Sequence, residues 1–181
     1  MTYSQVARRI RVPLGFVTAG VFLWMARPTW TSIALGALIT LPGLWLRALA
    51  AGHVRKNAEL TTSGPYAYTR NPLYLGSIII AVGFAVAAWN IWVGVVLIGM
   101  FLAIYLPVIR SEEAFLRSTF PEFGAYERDV PRLLPRFAAG NRERGSFSRE
   151  LYFKHREYNA LLGAGLLLLA LVLKLLFIPR A

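Results

Sequence analysis

The sequence predicts an all-α integral membrane protein, a helical bundle of about five transmembrane helices. Three observations predict it. The chain of 181 residues is 56% hydrophobic with a mean hydropathy of +0.51, whereas ordinary soluble domains are roughly 45–50% apolar. Its net charge of +11 is gathered in short segments between long apolar runs. Those runs approach the roughly 20 residues that a helix needs to cross a hydrocarbon core of about 30 Å.

A basic surface attracts phosphate, but charge restricted to the segments between apolar runs argues against nucleic acid as a partner. Absence of cysteine excludes disulfides, thiol catalysis and thiolate metal sites. His53 and His155 are the only histidines, so no metal site is expected.

The first run, Val12 to Ala26, follows Arg8, Arg9 and Arg11. No A-x-A-like cleavage site comes after it, so it reads as a retained span, ended by Pro28, rather than a signal peptide. The second runs from Trp30 to Ala50, with Pro42 and Gly43 marking an expected kink. The third, Leu73 to Trp89, and the fourth, Ile91 to Ile109, are separated by Asn90 alone and form an antiparallel hairpin. The fifth is Asn159 to Ile178. Before it, Ala138 to Ser148 reads as a basic linker facing anionic lipid. The chain is thus one membrane domain: N-terminal spans over 1–59, a core over 60–136, then linker and last transmembrane helix over 137–181.

An inward N-terminus puts 17 of the 20 lysines and arginines on the cytoplasmic side, which fixes the expected orientation and leaves the C-terminus outside. Arg27 and Arg180 face outward, and Lys174 snorkels toward the outer interface. Trp24, Trp30, Trp89 and Trp92 form the outer aromatic belt.

Two inner segments carry the chemistry. In Leu60 to Gly76, Gly64-Pro65 makes a turn, and Pro72 opens span three with Asn71 as its N-cap. Arg70 therefore sits at a helix N-terminus suited to an anion, and Tyr66, Tyr68 and Tyr74 offer flat amphipathic walls. Taken singly, these are also ordinary interfacial anchors. The second segment contains Glu112-Glu113, then Phe123-Gly124-Ala125-Tyr126 and Arg132-Leu133-Leu134-Pro135. Helical neighbours point about 100° apart, so one carboxylate faces a given pocket while the other pairs with Arg110, Arg117 or Arg70. A solvated acidic helix start is the plainer alternative; an ammonium group or ribose hydroxyls are the ligands such a pair suits.

The ordered set G-P-Y-x-Y-x-R-N-P-x-Y-x-G, a helical hairpin, E-E, F-G-x-Y and R-L-L-P, over Leu44 to Pro135, resembles the isoprenylcysteine carboxyl methyltransferase family, which is allied to the phospholipid N-methyltransferases. The resemblance implies an enzyme using S-adenosyl-L-methionine in a cytoplasm-facing pocket, with a lipophilic or lipidated acceptor entering from the membrane. It implies that Leu60, Gly64, Tyr66, Asn71, Pro72, Tyr74, Gly76, Glu112, Arg132 and Pro135 line the cofactor site. Arg70 and Glu113 are the expected catalytic pair: Arg70 orients a carboxylate acceptor, or Glu113 takes the proton of an amine. The family pattern has R-H-P where this chain has Arg70-Asn71-Pro72, and asparagine cannot serve as a base. Two rival readings are a nicotinamide-dependent membrane reductase on a related scaffold, which needs a site for a second phosphate, and a non-enzymatic scaffold or transporter, which calls for mid-membrane polar groups or repeated halves.

Overall fold

The computed structural model describes residues 15–55, 59–137 and 145–178. Arg8, Arg9 and Arg11, the start of the first span at Val12, Lys56, the linker up to residue 144, and Arg180 lie outside the described residues. Helix α1 is Gly15–Met25, and α2 is Trp30–Ala51, followed by a 3₁₀ turn at Gly64–Ala67 and α3 at Pro72–Ala88. Helices α4 (Ile91–Met100) and α5 (Leu106–Thr119) are joined by a π turn, Phe101–Tyr105. Short helices α6 (Phe123–Asp129) and α7 (Arg149–Lys154) precede α8, Tyr158–Phe177. No strand occurs among the described residues.

This is an integral membrane protein. Among the described residues, three helices are long and apolar enough to cross a membrane: Trp30–Ala51, the continuous Ile91–Thr119, and Tyr158–Phe177. Helices α1 and α3 are apolar but shorter, and α3 with 17 residues reaches about 25 Å. Of the expected five spans, the described residues thus show three long helices and two shorter apolar ones, α1 being described only from Gly15.

Close approach of α2 to α3 forms the spine of the bundle. Lipid supplies little hydrophobic drive between helices, so small residues that admit backbone contact take over that role. A Cβ on Gly36 would lie 2.5 Å from the Gly83 carbonyl, and one on Gly43 would lie 2.8 Å from the Gly76 carbonyl. Ser32 Oγ crosses the seam to the Ala87 carbonyl at 3.0 Å. Around this seam Phe22, Ile33, Phe84 and Leu171 bring α1, α2, α3 and α8 into one apolar core. At that end Trp24, Trp30, Trp89 and Trp92 are all exposed. Thr29 and Ser32 cap α2 reciprocally, and Asn90 caps α4 while its amide donates to Met25 O at 2.8 Å.

Helix α2 is continuous through Pro42, and one local expectation changes. The fourth span does not stop at Ile109 but continues as one rod of 29 residues. Pro107 lacks an N–H and would crowd the preceding turn of a regular α-helix; a wider π turn just before it absorbs the misfit. A rod of that length is about 43 Å, so its last turns emerge from the hydrocarbon. Lys174 reaches the tryptophan end of the bundle: its Nζ donates to Leu23 O at 2.6 Å and Trp24 O at 3.0 Å, satisfying carbonyls that the end of α1 leaves without partners.

Candidate functional site

The inner segments meet at the end of the bundle opposite the tryptophans. Gly64 takes φ +57°, a conformation glycine alone adopts freely, and a Cβ there would strike the His53 ring. The 3₁₀ turn it opens buries Tyr66, whose carbonyl accepts from Tyr126 Oη at 2.8 Å. The bent loop after α6 runs beside this turn and is stitched to it. Arg70 N–H donates to Pro131 O at 2.9 Å, Thr69 Oγ1 to Arg132 O at 3.1 Å, and Arg136 Nε to Ala67 O at 2.9 Å.

Glu113 is the knot. It is only 3% exposed, and a buried carboxylate must be paired. Asn71 Nδ2 donates to its Oε1 at 3.0 Å, and Arg132 donates to Oε2 from Nε at 2.9 Å, with Nη2 at 2.7 Å. Arg70 Nε stands 3.6 Å from Oε1. Asn71 heads α3 without capping it through its side chain; its Nδ2 is directed instead at Glu113 and at Arg132 O, 3.1 Å away. Arg70 extends the network: its Nη1 is 2.7 Å from Glu127 Oε1, and Glu127 Oε2 accepts from Arg117 Nη2 at 2.5 Å. Both guanidinium groups lie over the buried Phe123 ring, at 5.9 Å and 5.7 Å. Arg117's hydrogen bonds, with Arg70's charge beside them, hold the Glu127 carboxyl below the usual glutamate range. Although close to Glu127, Arg70 Nη1 is too oblique for a hydrogen bond, and both its Nε and Nη1 are buried without one.

Glu112 differs. It is half-buried and makes no ion pair among the described residues. Tyr66 lies close enough that burial first, then Tyr126 and the charges of Glu112 and Glu157, push its phenol far above the ordinary range. Tyr66 thus stays neutral, a donor rather than a base.

Of the expected site residues, Arg70, Asn71, Glu113 and Arg132 are in direct contact. Pro72 is fully buried at the start of α3, Leu60 packs on Phe123 and Tyr126, and Tyr74 packs edge-on to Tyr105 at 6.1 Å. Gly76 lies away from this cluster, pressed on α2 where a Cβ would come 2.6 Å from Arg47 Cγ. Pro135 and Leu134 are exposed on the outer rim. Arg110 makes no ion pair among the described residues. Two acids that the motifs did not flag also hold arginines: Glu127 holds Arg70 and Arg117, and Glu157 holds Arg47. Arg47 Nε pairs with Glu157 Oε1 at 2.5 Å, and Arg47 Nη1 bonds Ser77 Oγ at 2.5 Å. An arginine inside the apolar run Leu44-Trp45-Leu46-Arg47 was the available signal, since such a charge demands a partner.

A separate apolar cavity of about 770 Å³ lies between α1, α3 and α4, from Trp89 and Ile91 at one end to Ser77 and Tyr105 at the other.

Residues 43–122 match the phospholipid methyltransferase family. That segment belongs to this family, within the group of membrane methyltransferases that includes the isoprenylcysteine carboxyl methyltransferases. The chain is 37% identical over 137 residues to the cobalt-zinc-cadmium resistance protein CzcN of Cupriavidus metallidurans, an alignment covering 71% of this chain and 62% of that protein. It is 35% identical over 136 residues to the nickel-cobalt-cadmium resistance protein NccN of Alcaligenes xylosoxydans xylosoxydans, covering 68% and 63%. The alignments thus span about three-fifths of these relatives' length. No solved structure matches the chain.

Proposed function

We propose that the protein is an S-adenosyl-L-methionine-dependent methyltransferase of the membrane, acting on a lipophilic acceptor through a carboxyl or amine group, isoprenylcysteine-like molecules included. The observation that carries this reading is the 3.0 Å contact of Asn71 with Glu113. It joins the Gly64–Gly76 segment to the acidic pair inside a segment of methyltransferase family. The basic end, with the N-terminus, faces the cytoplasm by the distribution of lysine and arginine, all five apolar helices span, and the end of α8 lies outside.

The residues present fit the donor. Arg70, buried and ion-paired with Glu127 and Glu113, braces the site, while the half-buried Glu112 near a neutral Tyr66 suits an ammonium or sulfonium centre. When bound, the donor supplies an electrophilic methyl group. The protein's part is to align the acceptor and exclude water. With both oxygens engaged, Glu113 serves as the strut orienting Arg70, Asn71 and Arg132. Glu112 is the carboxylate placed to receive a proton from an amine acceptor, and a carboxylate acceptor needs no base. Leu60, Gly64, Pro72 and Tyr74 shape the wall, and Gly76 sets the α2–α3 distance behind it.

The metal resistance named for the relatives is carried over as a physiological setting, served through the methylated product. Titrating S-adenosyl-L-methionine into detergent-solubilised protein tests the core of the proposal: saturable heat is expected, and none at about millimolar ligand, the upper end of ordinary enzyme KM values, overturns it. Mass spectrometry of membrane extract incubated with methyl-labelled donor then identifies the acceptor.

A further inference from the structure

Arg47 lies in α2 with its side chain 23% exposed, and Glu157, 9% exposed, reaches it from the start of α8. A guanidinium carries five N–H donors. Here Nε goes to Glu157, and Nη1 goes to Ser77 Oγ and to Leu73 O at 3.3 Å. Nη2 makes no hydrogen bond among the described residues, yet it is not among the buried unpaired atoms, so its two donors are open. Glu157 fixes the plane of the guanidinium, and a planar fork so held is suited to a bidentate anion. Ser77 accepts from Arg47 and donates to Leu73 O at 3.0 Å, and it also lines the inner end of the apolar cavity. On the other side, Arg47 and Glu157 are close enough to Tyr66 to act on it electrostatically. Arg47 does not itself line the cavity; Ser77, hydrogen-bonded to its Nη1, is the wall that the pair shares with the cavity's inner end.

We propose that Arg47 is the acceptor-binding residue, its Nη2 receiving an anionic group, carboxylate or phosphate, on the head of a molecule whose apolar chain lies in the α1–α3–α4 cavity, with Glu157 as its positioning residue. This rests on the methyltransferase reading only for what happens next; the anion site itself is a binding property. It assigns the last helix, outside the family-matched segment, a part in substrate selection. It also explains a charge at position 47 that the α2–α3 seam alone would not require, since Gly36, Gly43, Gly76 and Gly83 already close that seam.

The test uses the full chain in uncharged detergent and three probes of one chain length: dodecanoate, dodecyl phosphate and dodecanol. Calorimetry should show one or both anionic probes binding at least about tenfold tighter than dodecanol, the scale of one charge-assisted hydrogen-bonded contact. The tighter of the two identifies the head as carboxylate or phosphate. Arg47→Ala should erase the preference and Arg47→Lys should recover only part of it, a point charge replacing a fork. Glu157→Gln, which leaves Arg47 in place, should narrow the preference without abolishing dodecanol binding. If Arg47→Ala does not fold, the Arg47→Lys and Glu157→Gln comparisons decide. An unchanged preference in the folded Arg47 and Glu157 variants, or no preference in the native protein, overturns the proposal. Titration of S-adenosyl-L-methionine into the same samples keeps the two readings apart. Donor binding intact in a native protein that shows no anionic preference, or whose preference survives in the variants, refutes Arg47 alone, and donor binding absent throughout with the native preference present and lost in Arg47→Ala refutes only the methyltransferase reading.

Discussion

Replacing each member of the acidic pair separately should split stability from ligand binding. Glu113→Gln keeps shape but removes the charge facing Arg70 and Arg132. Glu113 and Arg70 have side chains only 4% and 8% exposed, whereas Arg132 at 38% is well hydrated. The stranded charge is therefore mainly Arg70, and breaking a buried pair by removing one partner costs about 3–5 kcal/mol. Glutamine still accepts one hydrogen bond from Asn71 or Arg132, which brings the expected cost to about 3 kcal/mol. For a chain of this size that is a fall in Tm of about 6–12 °C. Glu112→Gln leaves the network intact, so its Tm should stay within about 2 °C, in keeping with a change of under ~0.5 kcal/mol, while S-adenosyl-L-methionine affinity drops at least about tenfold. Differential scanning calorimetry and ligand titration on the same detergent preparations read both. Equal Tm for the two variants would refute the assignment of Glu113 as strut, and unchanged donor affinity in Glu112→Gln would refute Glu112 as the open carboxylate.

Other outcomes follow from the same geometry. Asn71→Ala removes one donor from a buried carboxylate and one from Arg132 O, and should destabilise by about 1.5–3 kcal/mol, read as a lower Tm. Gly83→Ala drives a methyl against Gly36 O, where a Cβ would lie 2.7 Å away, and should cost about 1–3 kcal/mol by overpacking. Gly94→Ala, with nothing within 4 Å, should be neutral or gain up to about 1 kcal/mol from helix propensity. Glu127 titrates below its ordinary value in the folded protein, so its stabilisation is present above the unfolded glutamate range of about 4.3 and is lost as pH falls through the depressed value. Glu127→Gln should flatten the acid side of the stability–pH profile; an unchanged acid limb would contradict the pairing with Arg117 and Arg70.

The sequence made the helices legible because lipid imposes a simple length and polarity rule, and the two inner segments legible because their motifs are dense. Their contact was expected from a resemblance, and the particular bonds could not be. Nothing in Glu112-Glu113 says which carboxylate turns inward, since that depends on the phase of a rod whose π turn, Phe101–Tyr105, resets the rotation just upstream. Likewise Asn71 reads as an N-cap from its place before Pro72, yet its side chain is oriented by donating Nδ2 to the buried Glu113 and its oxygen makes no capping bond, in keeping with an unpaired buried carboxylate costing more than an uncapped helix start. Arg47 and Glu157 are 110 residues apart, and no local pattern announces their pairing.

Charge distribution explains why the site sits where it does. The two clusters, Arg70–Glu113–Arg132 with Glu127–Arg117, and Arg47–Glu157, are built from elements that emerge at one end of the bundle, where the 29-residue rod overshoots the hydrocarbon. Counting back from Thr119, Glu113 falls about 9 Å inside the end of that rod and about 33 Å from Ile91, at the edge of an apolar layer about 30 Å thick. There a carboxylate can be buried in protein while its partners still reach from aqueous loops. Shortening the rod by one turn before the π segment, by deleting Val93 to Val96, would draw the acidic pair about 6 Å into the lipid. The bundle should then lose its thermal transition along with any donor binding, whereas Leu134→Ala with Pro135→Ala, at exposed positions of the rim, should lower Tm far less. Retention of a native transition by the shortened rod would mean that α5 is positioned by its loops and not by the span that precedes it.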